Sequence, residues 1–479
     1  MLLVACAGHS DRTKEARSAL DAGRTAKALE LYDEELDVDR PEDLPKDFDD
    51  DDVLLVLDRA IILQALDRHE LSSRDLELAD KSIEVLDFSR SGLDSVGKYL
   101  FSDDVGPYRA PPYEKLLINT MNMVNYLARG DLNGARVEAR RLAVMQKFIE
   151  EHEGHGKGLT GPGSYLAGFT FEKSGEPGEA LRYYDEALQF GDYASLADPV
   201  RHLSQLDGYR SPRLRRFLGE ASGAAPVPVA TSTPVAPTPG ASGTPAGAST
   251  PVAPAAPAPV AAPPTRQPTA TPSVPADDSG EILVIISYGR VPAKIAKRVP
   301  IGLALTIASG YISPHNRSRA TYLAGQGLVT WINYPTLGRS HGEYAIPEYD
   351  VDGRPAPLEG MLAVDLEARK AWKEVEGSVV ASAITRMITR IVAGEVTRRA
   401  TGGGVVGALL SLGAQATLTA TDTPDTRSWA TLPARIAFGR VRVRPGRHVV
   451  TLEAGGLRKR QTVQVVPRGW AVVNLTVLR

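Results

Sequence analysis

The sequence predicts a multidomain protein in which an all-α helical-repeat domain is followed by an α+β domain that ends in an antiparallel β module. Three observations support this fold class. Apolar residues recur every three or four positions in the first 220 residues. Prolines and alanines dominate the next stretch, and strand-like runs separated by Gly and Pro turns come after it. We therefore divide the 479 residues into an N-terminal segment, a helical domain, a linker and a C-terminal domain, at 1–10, 11–221, 222–279 and 280–479.

The formal net charge of −3 hides a strong asymmetry between the two ends of the chain. Residues 280–479 contain 26 Lys and Arg against 14 Asp and Glu, whereas residues 1–279 contain 29 against 44. Such an asymmetry predicts one of two arrangements. Either the two halves attract each other, or the basic half meets an anionic surface.

The linker is the clearest boundary in the sequence. Residues 223–276 hold 15 of the 35 prolines and a single charged residue, Arg266. Because this stretch lacks large apolar side chains to offset the loss of chain entropy, we expect it to be extended or unfolded. The sequence thus predicts a Pro/Ala/Thr-rich disordered spacer that lets two domains reach different partners.

The helical domain has its clearest pattern between residues 165 and 190, where two amphipathic segments flank a turn at Ser174–Pro177. Small residues occur where paired helices need a close approach, and aromatic residues stand beside them: Gly168, Phe171, Ala180, Tyr184 and Ala187. This spacing resembles the tetratricopeptide repeat, although Ser164 replaces the leading tryptophan of that repeat.

Further helix pairs precede this one. Residues 118–146 place Tyr126 and Ala135 in the same relation, and another pair begins near Ala16. Segments 53–66 and 73–87 have suitable lengths for helices without the signature. We predict a tetratricopeptide-like domain of three to four helix pairs, which is near the minimum for a stable stack.

The C-terminal domain mixes strand and helix patterns. Residues 280–291 and 328–337 read as strands, and residues 363–396 carry an apolar stripe of helical period. Four strand-like runs close the chain after residue 433, separated by Gly and Pro turns. We expect them to form a three- or four-stranded antiparallel module, similar to the small β-sandwich modules at the ends of bacterial envelope proteins.

Several strings suggest catalysis or ligand binding, but none has the required context. The glycines of 402–407 follow a charged helix rather than a strand, and 154–158 lacks the residues of a phosphate-binding loop. His152 and His155 have no third ligand at a suitable spacing, and the acidic run 47–52 lacks the central glycine of a calcium loop. We therefore predict a protein that is not an enzyme and has no cofactor or metal.

Basic residues near the C-terminus are candidates for an interaction surface. Arg440, Arg442 and Arg444 alternate with valines, so a strand would place all three on one face. Arg458, Lys459 and Arg460 could extend that patch from the following strand. The alternatives are an ordinary solvent-facing side or a contact with anionic glycan, lipid headgroup or acidic protein.

Membrane attachment is predicted at the N-terminus. Leu3-Val4-Ala5-Cys6 resembles a bacterial lipobox, whose cysteine receives diacylglycerol and becomes the first residue of the mature protein. Only five residues precede Cys6, so we expect the tail of a shortened signal peptide; an ordinary start with a stray cysteine is the alternative. Ala7 follows Cys6, which favours the outer membrane. The apolar stretch 405–420 is short for a span and is expected to pack inside the C-terminal domain.

The chain also resembles a family of uncharacterised bacterial envelope lipoproteins with N-terminal tetratricopeptide-like repeats and a C-terminal α+β domain. The matching strings are 289–294 and 425–433, the latter with Asp425, Arg427, Trp429 and Pro433. The resemblance implies a lipid-anchored protein on the periplasmic face of the outer membrane. We expect a non-enzymatic adaptor that binds other envelope proteins, with peptidoglycan or anionic lipid as a further partner, and that binds no nucleic acid. The alternative is a structural subunit of a secretion or motility machine.

Overall fold

The computed structural model describes residues 9–46, 48, 52–88, 108, 110–153, 161–220, 278–342, 345–400 and 424–479. Cys6, the linker prediction for 223–276 and the apolar stretch 405–420 lie outside these residues. The glycine-rich strings 154–158 and 402–407 also lie outside them, as do His155 and most of the acidic run 47–52. We call residues 9–220 the helical half and residues 278–479 the C-terminal half.

The helical half consists of eleven described helices and a short 3₁₀ turn at Ala194–Leu196. Helices α2 to α9 form four consecutive pairs, close to the predicted positions. The helices are α1 His9–Arg12, α2 Lys14–Asp21, α3 Thr25–Glu35, α4 Asp52–Ala65, α5 His69–Phe88, α6 Pro112–Ala128, α7 Leu132–Glu153, α8 Gly161–Lys173, α9 Pro177–Phe190, α10 Ala197–Leu206 and α11 Pro212–Phe217.

One turn type closes all four helix pairs. Gly23, Gly130 and Gly175 have φ of +70°, +75° and +75°, and Asp67 has φ of +59° at the matching place in the α4–α5 pair. The residue after each of them donates its backbone N–H to the carbonyl five positions earlier, at 2.8 to 3.0 Å. This is the Schellman arrangement, which satisfies the last carbonyls of a helix and needs a residue that tolerates positive φ. A shared turn gives the helical half its repeated geometry.

The C-terminal half contains ten strands and three helices among its described residues. The strands form a sheet of order β10-β1-β7-β6, a second of order β5-β4-β8-β9 and a two-stranded pair β2-β3. The elements are β1 Gly280–Arg290, β2 Lys294–Pro300, α12 Ile301–Ile307, α13 Pro314–Gly325, β3 Trp331–Leu337, β4 Glu348–Val351, β5 Arg354–Ala356, β6 Glu359–Ala363, α14 Val364–Ala400, β7 Pro433–Val443, β8 Gly446–Ala454, β9 Leu457–Val465 and β10 Trp470–Val477.

The two four-stranded sheets pack against each other. Ile282 and Val284 of β1 share a core with Val450 and Leu452 of β8. Leu283 and Ile285 point to the opposite face of β1 and belong to the core of the helical half. Because successive residues alternate between faces, β1 is buried on both sides, which explains its continuous apolar sequence.

The predicted antiparallel C-terminal module is wrong in its pairing. Strands β8 and β9 pair antiparallel as expected, but β7 pairs with β1, and β10 runs parallel to β1. The four terminal strands therefore belong to two different sheets. The apolar alternation correctly predicted each strand. It could not predict the pairing, because the partner of β10 lies about 190 residues earlier in the chain and nearby residues do not indicate it.

A smaller core lies beside the two sheets. The buried stripe of α14 includes Trp372, Val379 and Met387, in agreement with the predicted helical period. The stripe packs against β2, α12, α13 and β3 through residues such as Ala304 and Tyr334. Residues 294–337 thus form a lobe on one side of α14.

Candidate functional site

The two halves share one hydrophobic core. Phe438 of β7 stacks on Tyr165 of α8 with ring centroids 5.3 Å apart, and Trp470 of β10 packs edge-on against Phe169 at 5.8 Å. All four rings contact the other half directly. The expectation of two independent domains separated by a spacer is therefore not what the structure shows for the described residues: the halves are packed together.

A buried ion network lies in this contact, between α8 and the β1–β7 pair. Arg440 donates to Glu172 Oε1 and to Glu281 Oε2, each at 2.6 Å, and to the Tyr184 hydroxyl at 3.1 Å. Lys173 Nζ lies 2.5 Å from the same Glu281 oxygen and 2.8 Å from Glu172. The Arg440 side chain is only 3% exposed. Two cations and two carboxylates balance one another, as a buried cluster requires.

The pKa values of the two carboxyls reflect this balance. Burial raises the pKa of Glu172, but the charges of Arg440 and Lys173 outweigh it and lower the pKa to about 2. The pKa of Glu281 is lowered through the same competition between burial and those two cations. Both carboxyls are therefore ionised at neutral pH, and their charges hold α8 to the sheet.

Other ion pairs across the contact follow the charge asymmetry of the chain. Arg290 binds Asp21, Lys459 lies 2.6 Å from Asp67, and Arg442 lies 3.3 Å from Asp198. In each pair the cation comes from the C-terminal half and the carboxylate from the helical half. Of the two arrangements that the asymmetry predicted, attraction between the halves is the one observed here.

Asp58 of α4 provides a further buried link. Its carboxylate accepts the Thr431 backbone N–H at 2.8 Å and the Thr431 hydroxyl at 2.9 Å. Tyr32 donates its hydroxyl to the other carboxylate oxygen at 2.9 Å, and His9 Nε2 lies 3.6 Å from that oxygen. Asp58, Tyr32 and Thr431 have no measurable exposure, so this aspartate joins α3, α4 and the segment before β7.

The two strings that carry the family resemblance meet at this contact. The Lys294 backbone N–H donates to Ser428 Oγ at 3.2 Å, and the Val291 N–H donates to the Leu432 carbonyl at 2.9 Å. Arg290 lies opposite Pro433 in the β1–β7 ladder. Residues 289–294 and 425–433, far apart in the chain, therefore form one continuous buried region.

Each family-like residue has a definite place in that region. Arg427 is held by Asp425 through Nε–H to Oδ1 at 3.0 Å and Nη2–H to Oδ2 at 3.1 Å. Trp429 is fully buried, and its backbone N–H hydrogen-bonds to Glu114 of α6. The string thus docks onto the helical half through its own side chains and backbone.

Glu114 and Lys294 are buried ionisable groups in the same region. Burial raises the pKa of Glu114 to about 7, against the opposing effect of hydrogen bonds from Tyr108 and Tyr113. Burial lowers the pKa of the Lys294 ammonium, while Asp425 and Glu114 act in the other direction. We use the name junction for the polar residues between the halves, which are buried or half-buried except for the exposed Asp21: Asp21, Asp58, Glu114, Glu172, Lys173, Glu281, Arg290, Lys294, Asp425, Arg427, Thr431 and Arg440.

The six predicted anionic-surface residues do not form one patch. Arg440 is buried in the junction, Arg442 pairs with Asp198, and Lys459 points back to Asp67. Arg458 and Arg460 lie on the outer face of β9, in a different sheet from β7, and Arg444 follows the end of β7. The prediction that 458–460 extends the 440–444 stripe is wrong, because β9 pairs with β8 and β7 pairs with β1 and β6.

The outer face of β9 is also mixed in sign. Arg458 lies opposite Glu453, and Arg460 lies opposite Thr451, which is itself paired with Asp350. A shallow cleft on this face is lined by Asp350, Asp352, Arg458 and Arg460. Alternating charges of this kind do not define a single-sign surface.

The predicted helix-packing residues lie at helix–helix contacts. A Cβ on Gly168 would stand 2.4 Å from Tyr184 Cδ1, so only glycine allows this approach of α8 to α9. Phe171 stacks on Tyr183 at 5.2 Å, while Ala135, Ala180 and Ala187 are fully buried. Tyr126 covers Gly134 and donates its hydroxyl to Glu77.

A cleft of about 770 Å³ opens beside α3 and the segment that follows it. Its apolar lining comes from Leu29, Val38, Pro41 and Leu66. Its polar lining is mostly acidic and contains one cation, Arg68; the carboxylates are Glu30, Asp33, Glu34, Asp37 and Asp39. The cleft combines an apolar surface with a negative rim.

Sequence reasoning missed several residues that matter most at the junction, including Asp58, Glu114 and Glu172. The sequence carried one signal of this contact, the opposite net charges of the two halves, and that signal names no residue. In the part of the chain that the structure describes, no group of His, Cys, Asp and Glu is arranged to hold a metal ion. No helix within those residues has the length and apolar character needed to cross a bilayer.

No family model, curated protein or solved structure matches this chain. Its architecture therefore defines its class: a multidomain α+β protein in which consecutive helix pairs pack on a two-sheet C-terminal half.

Proposed function

We propose that this protein is a non-enzymatic, lipid-anchored adaptor on the periplasmic face of the outer membrane. In this proposal Cys6 carries the lipid, and the helix pairs act as tetratricopeptide-like repeats that bind a segment of another envelope protein. The C-terminal half is held to the helical half by the junction and contacts a second envelope component. The two halves would then act as one body rather than as two tethered modules.

The observation that carries the proposal is the cleft beside α3. Leu29, Val38 and Leu66 give it an apolar surface on which side chains of a partner can be buried. The surrounding carboxylates favour a partner segment that is rich in Lys and Arg. An extended or helical segment with both features is the occupant that this chemistry selects.

The ionisable groups of the junction support a non-catalytic role. Arg440, Glu172, Glu281 and Lys173 are buried and paired with one another. Groups that must meet a substrate need access to it, whereas these groups are used in joining the halves. The strongest pKa shifts in the contact therefore have a structural explanation.

Site-specific photocrosslinking in intact cells tests the adaptor proposal. A photoreactive amino acid at Ala26, on the cleft, should give a discrete adduct with another envelope protein, while one at exposed Val144 on α7 should not. Replacing Glu30 and Glu34 by Lys should abolish the adduct at position 26. The matched pair Glu150→Lys and Glu151→Lys on α7 makes the same charge change away from the cleft and should leave the adduct intact.

Two results would count against the proposal. Equal adducts at positions 26 and 144 would exclude a specific cleft, and adducts made only with further copies of this chain would favour a structural subunit of an envelope machine. Palmitate labelling tests the anchor separately. Label that persists in Cys6→Ser would exclude Cys6 as the lipidated residue.

A further inference from the structure

The lobe formed by β2, α12, α13 and β3 has an unusual charge composition. Residues 294–337 contain no Asp or Glu, although they include five Lys and Arg residues. Apart from Lys294, which belongs to the junction, the lobe is separate from the junction in its packing, because its core is shared with α14. We call residues 294–337 the basic lobe.

Large apolar side chains are exposed on the basic lobe. Five of the large hydrophobic residues that are exposed in the described chain lie in these 44 residues, with exposed fractions between 42% and 66%: Ile295, Leu303, Tyr311, Tyr322 and Trp331. Single exposed apolar residues are common on protein surfaces, but such a concentration indicates an interaction surface.

The inward faces of the two lobe helices, α12 and α13, are buried in the core. Ala304 and Ala308 of the α12 segment and Ala320 and Leu323 of α13 are buried against α14. Leu303 and Tyr322 are next to these buried positions in sequence, but their own side chains are 49% and 66% exposed. Their exposure is therefore a property of the folded lobe rather than a gap in its core.

Three residues of the lobe, Arg298, Leu303 and Trp331, lie at or near the corner where β2 ends and α12 begins. Trp331 lies opposite Pro300 in the β2–β3 ladder, at the corner where α12 begins. The Arg298 guanidinium lies over the Trp331 ring, 5.4 Å from its centroid. Leu303 follows this corner within the first turn of α12. Aliphatic, aromatic and cationic groups therefore lie side by side.

The exposed arginines of the lobe are not neutralised as the cations of the junction are. In the part of the chain that the structure describes, Arg298, Arg317 and Arg319 form no ion pair; Arg317 instead donates to the Ser309 carbonyl at 2.6 Å. Glu376 of α14 contacts Tyr334 on the inner side of the lobe, beside Lys297. The outer side of the lobe keeps its positive charge.

We propose that the basic lobe binds directly to the surface of an anionic phospholipid bilayer. Trp and Tyr rings prefer the interface between water and acyl chains, and Lys and Arg near them are attracted to anionic headgroups. Leu303 and Ile295 provide aliphatic surface that enters the headgroup boundary. Recognition of single-stranded nucleic acid uses stacked aromatics instead, and aliphatic side chains give no stacking. The lobe adds a protein contact to the proposed lipid anchor and does not depend on either that anchor or the cleft partner.

The test uses the purified full-length chain with Cys6→Ser, so that no acyl chain contributes. Binding is measured by flotation with phosphatidylcholine vesicles and with vesicles that contain about a third phosphatidylglycerol. We expect binding to the anionic vesicles alone, and weaker binding as the salt concentration rises. Leu303→Ser with Tyr322→Ser should weaken binding at least tenfold, whereas Val144→Ser with Leu206→Ser, two similarly exposed residues of the helical half, should not.

A charge-reversal pair separates the cationic contribution from the apolar one. Arg298→Glu with Arg317→Glu should abolish binding, while Arg215→Glu with Arg216→Glu on α11 should preserve it; thermal unfolding of each variant confirms that it is folded. Failure to bind anionic vesicles, or equal loss in lobe and control variants, would overturn the proposal. Binding to an oligonucleotide in place of the vesicles would also overturn it and would identify the lobe as a nucleic-acid surface. Neither result would alter the crosslinking outcome at Ala26.

Discussion

The junction and the basic lobe both use cations of the C-terminal half, but in opposite ways. Arg440 in the junction is 3% exposed and bound by two carboxylates, whereas Arg298 in the lobe is exposed and lies over the Trp331 ring. The difference comes from what covers each surface. Acidic helices of the other half cover the junction, and the lobe extends beyond them.

This contrast shows how one charge asymmetry serves two purposes. Part of the positive charge of the C-terminal half is neutralised by Asp21, Asp67, Glu172 and Asp198 of the helical half. Arg298, Arg317 and Arg319 of the lobe form no ion pair within the described residues, and their charge stays directed to the outside. Four variants test this division, beginning with the one expected to have the largest effect.

Replacing Arg440 by Met should destabilise the protein by about 3–5 kcal/mol, because Glu172 and Glu281 would remain buried without their guanidinium. Urea unfolding measures this difference. Arg298→Met in the basic lobe is the matched control and should cost less than about 0.5 kcal/mol, since its side chain is exposed. Adding Glu172→Gln to Arg440→Met leaves the Lys173–Glu281 pair and should restore much of the stability. Equal losses for Arg440→Met and Arg298→Met would erase the contrast between junction and lobe.

Replacing Glu114 by Gln should change how the stability depends on pH. The folded pKa of about 7 exceeds the unfolded value near 4.5, so the wild-type folded state loses stability as the pH rises from about 4.5 to 7. Gln does not titrate. The free energy of unfolding of the variant, relative to that of the wild type, should therefore rise by up to about 3 kcal/mol between pH 5 and pH 8. Thermal unfolding across that range measures the gain. Glu138 titrates in both proteins, so its effect cancels in the comparison, and a constant difference would exclude a raised pKa at Glu114.

Replacing Gly168 by Ala should cost about 1–3 kcal/mol, because the new Cβ would lie 2.4 Å from the Tyr184 ring. That ring has little freedom to move, since its hydroxyl is bound to Glu172 and Arg440. Gly208→Ala is the control, because a Cβ there has no heavy atom within 4 Å. Chemical denaturation of both variants measures the difference, and a Gly168→Ala protein as stable as Gly208→Ala would contradict the close packing of α8 and α9.

Replacing Asp67 by Asn should have the smallest effect. Asn tolerates the positive φ of this turn, so the variant mainly removes the charge that pairs with Lys459. Because Asp67 is 52% exposed, we expect a loss below about 1 kcal/mol that disappears at high salt. Unfolding at low and high ionic strength checks both expectations. A larger, salt-independent loss would show that the Asp67 carboxylate stabilises the turn itself.

The sequence predicted the four helix pairs, α14, β1, β3 and the four terminal strands, because their causes are local, whereas α10 to α13, β2 and β4 to β6 were not predicted. The four helix pairs follow from apolar spacing and from turn residues such as Gly23, Gly130 and Gly175. The α14 stripe and the positions of β1 and of the four terminal strands follow from periodicity in the same way. The turn at Asp67 was less visible, because aspartate replaces the expected glycine.

The candidate site was predicted only in outline. The strings 289–294 and 425–433 were singled out, but their meeting depends on the β1–β7 ladder, which joins segments about 150 residues apart. Arg440 and Arg442 were correctly placed on one strand. Whether the arginines of that strand face water or the helices depends on tertiary packing, which the residues next to them in sequence do not indicate.

The sequence by itself determined the helices, the strands and the opposite charges of the two halves, since these depend on near neighbours or on composition. Only the tertiary structure decided that the halves share a core, that Arg440 is buried in the junction and that the basic lobe stays exposed. The physical reason is that burial of a charge depends on which distant surface covers it. Strand pairing and sheet packing set that surface, and both act between residues far apart in the chain.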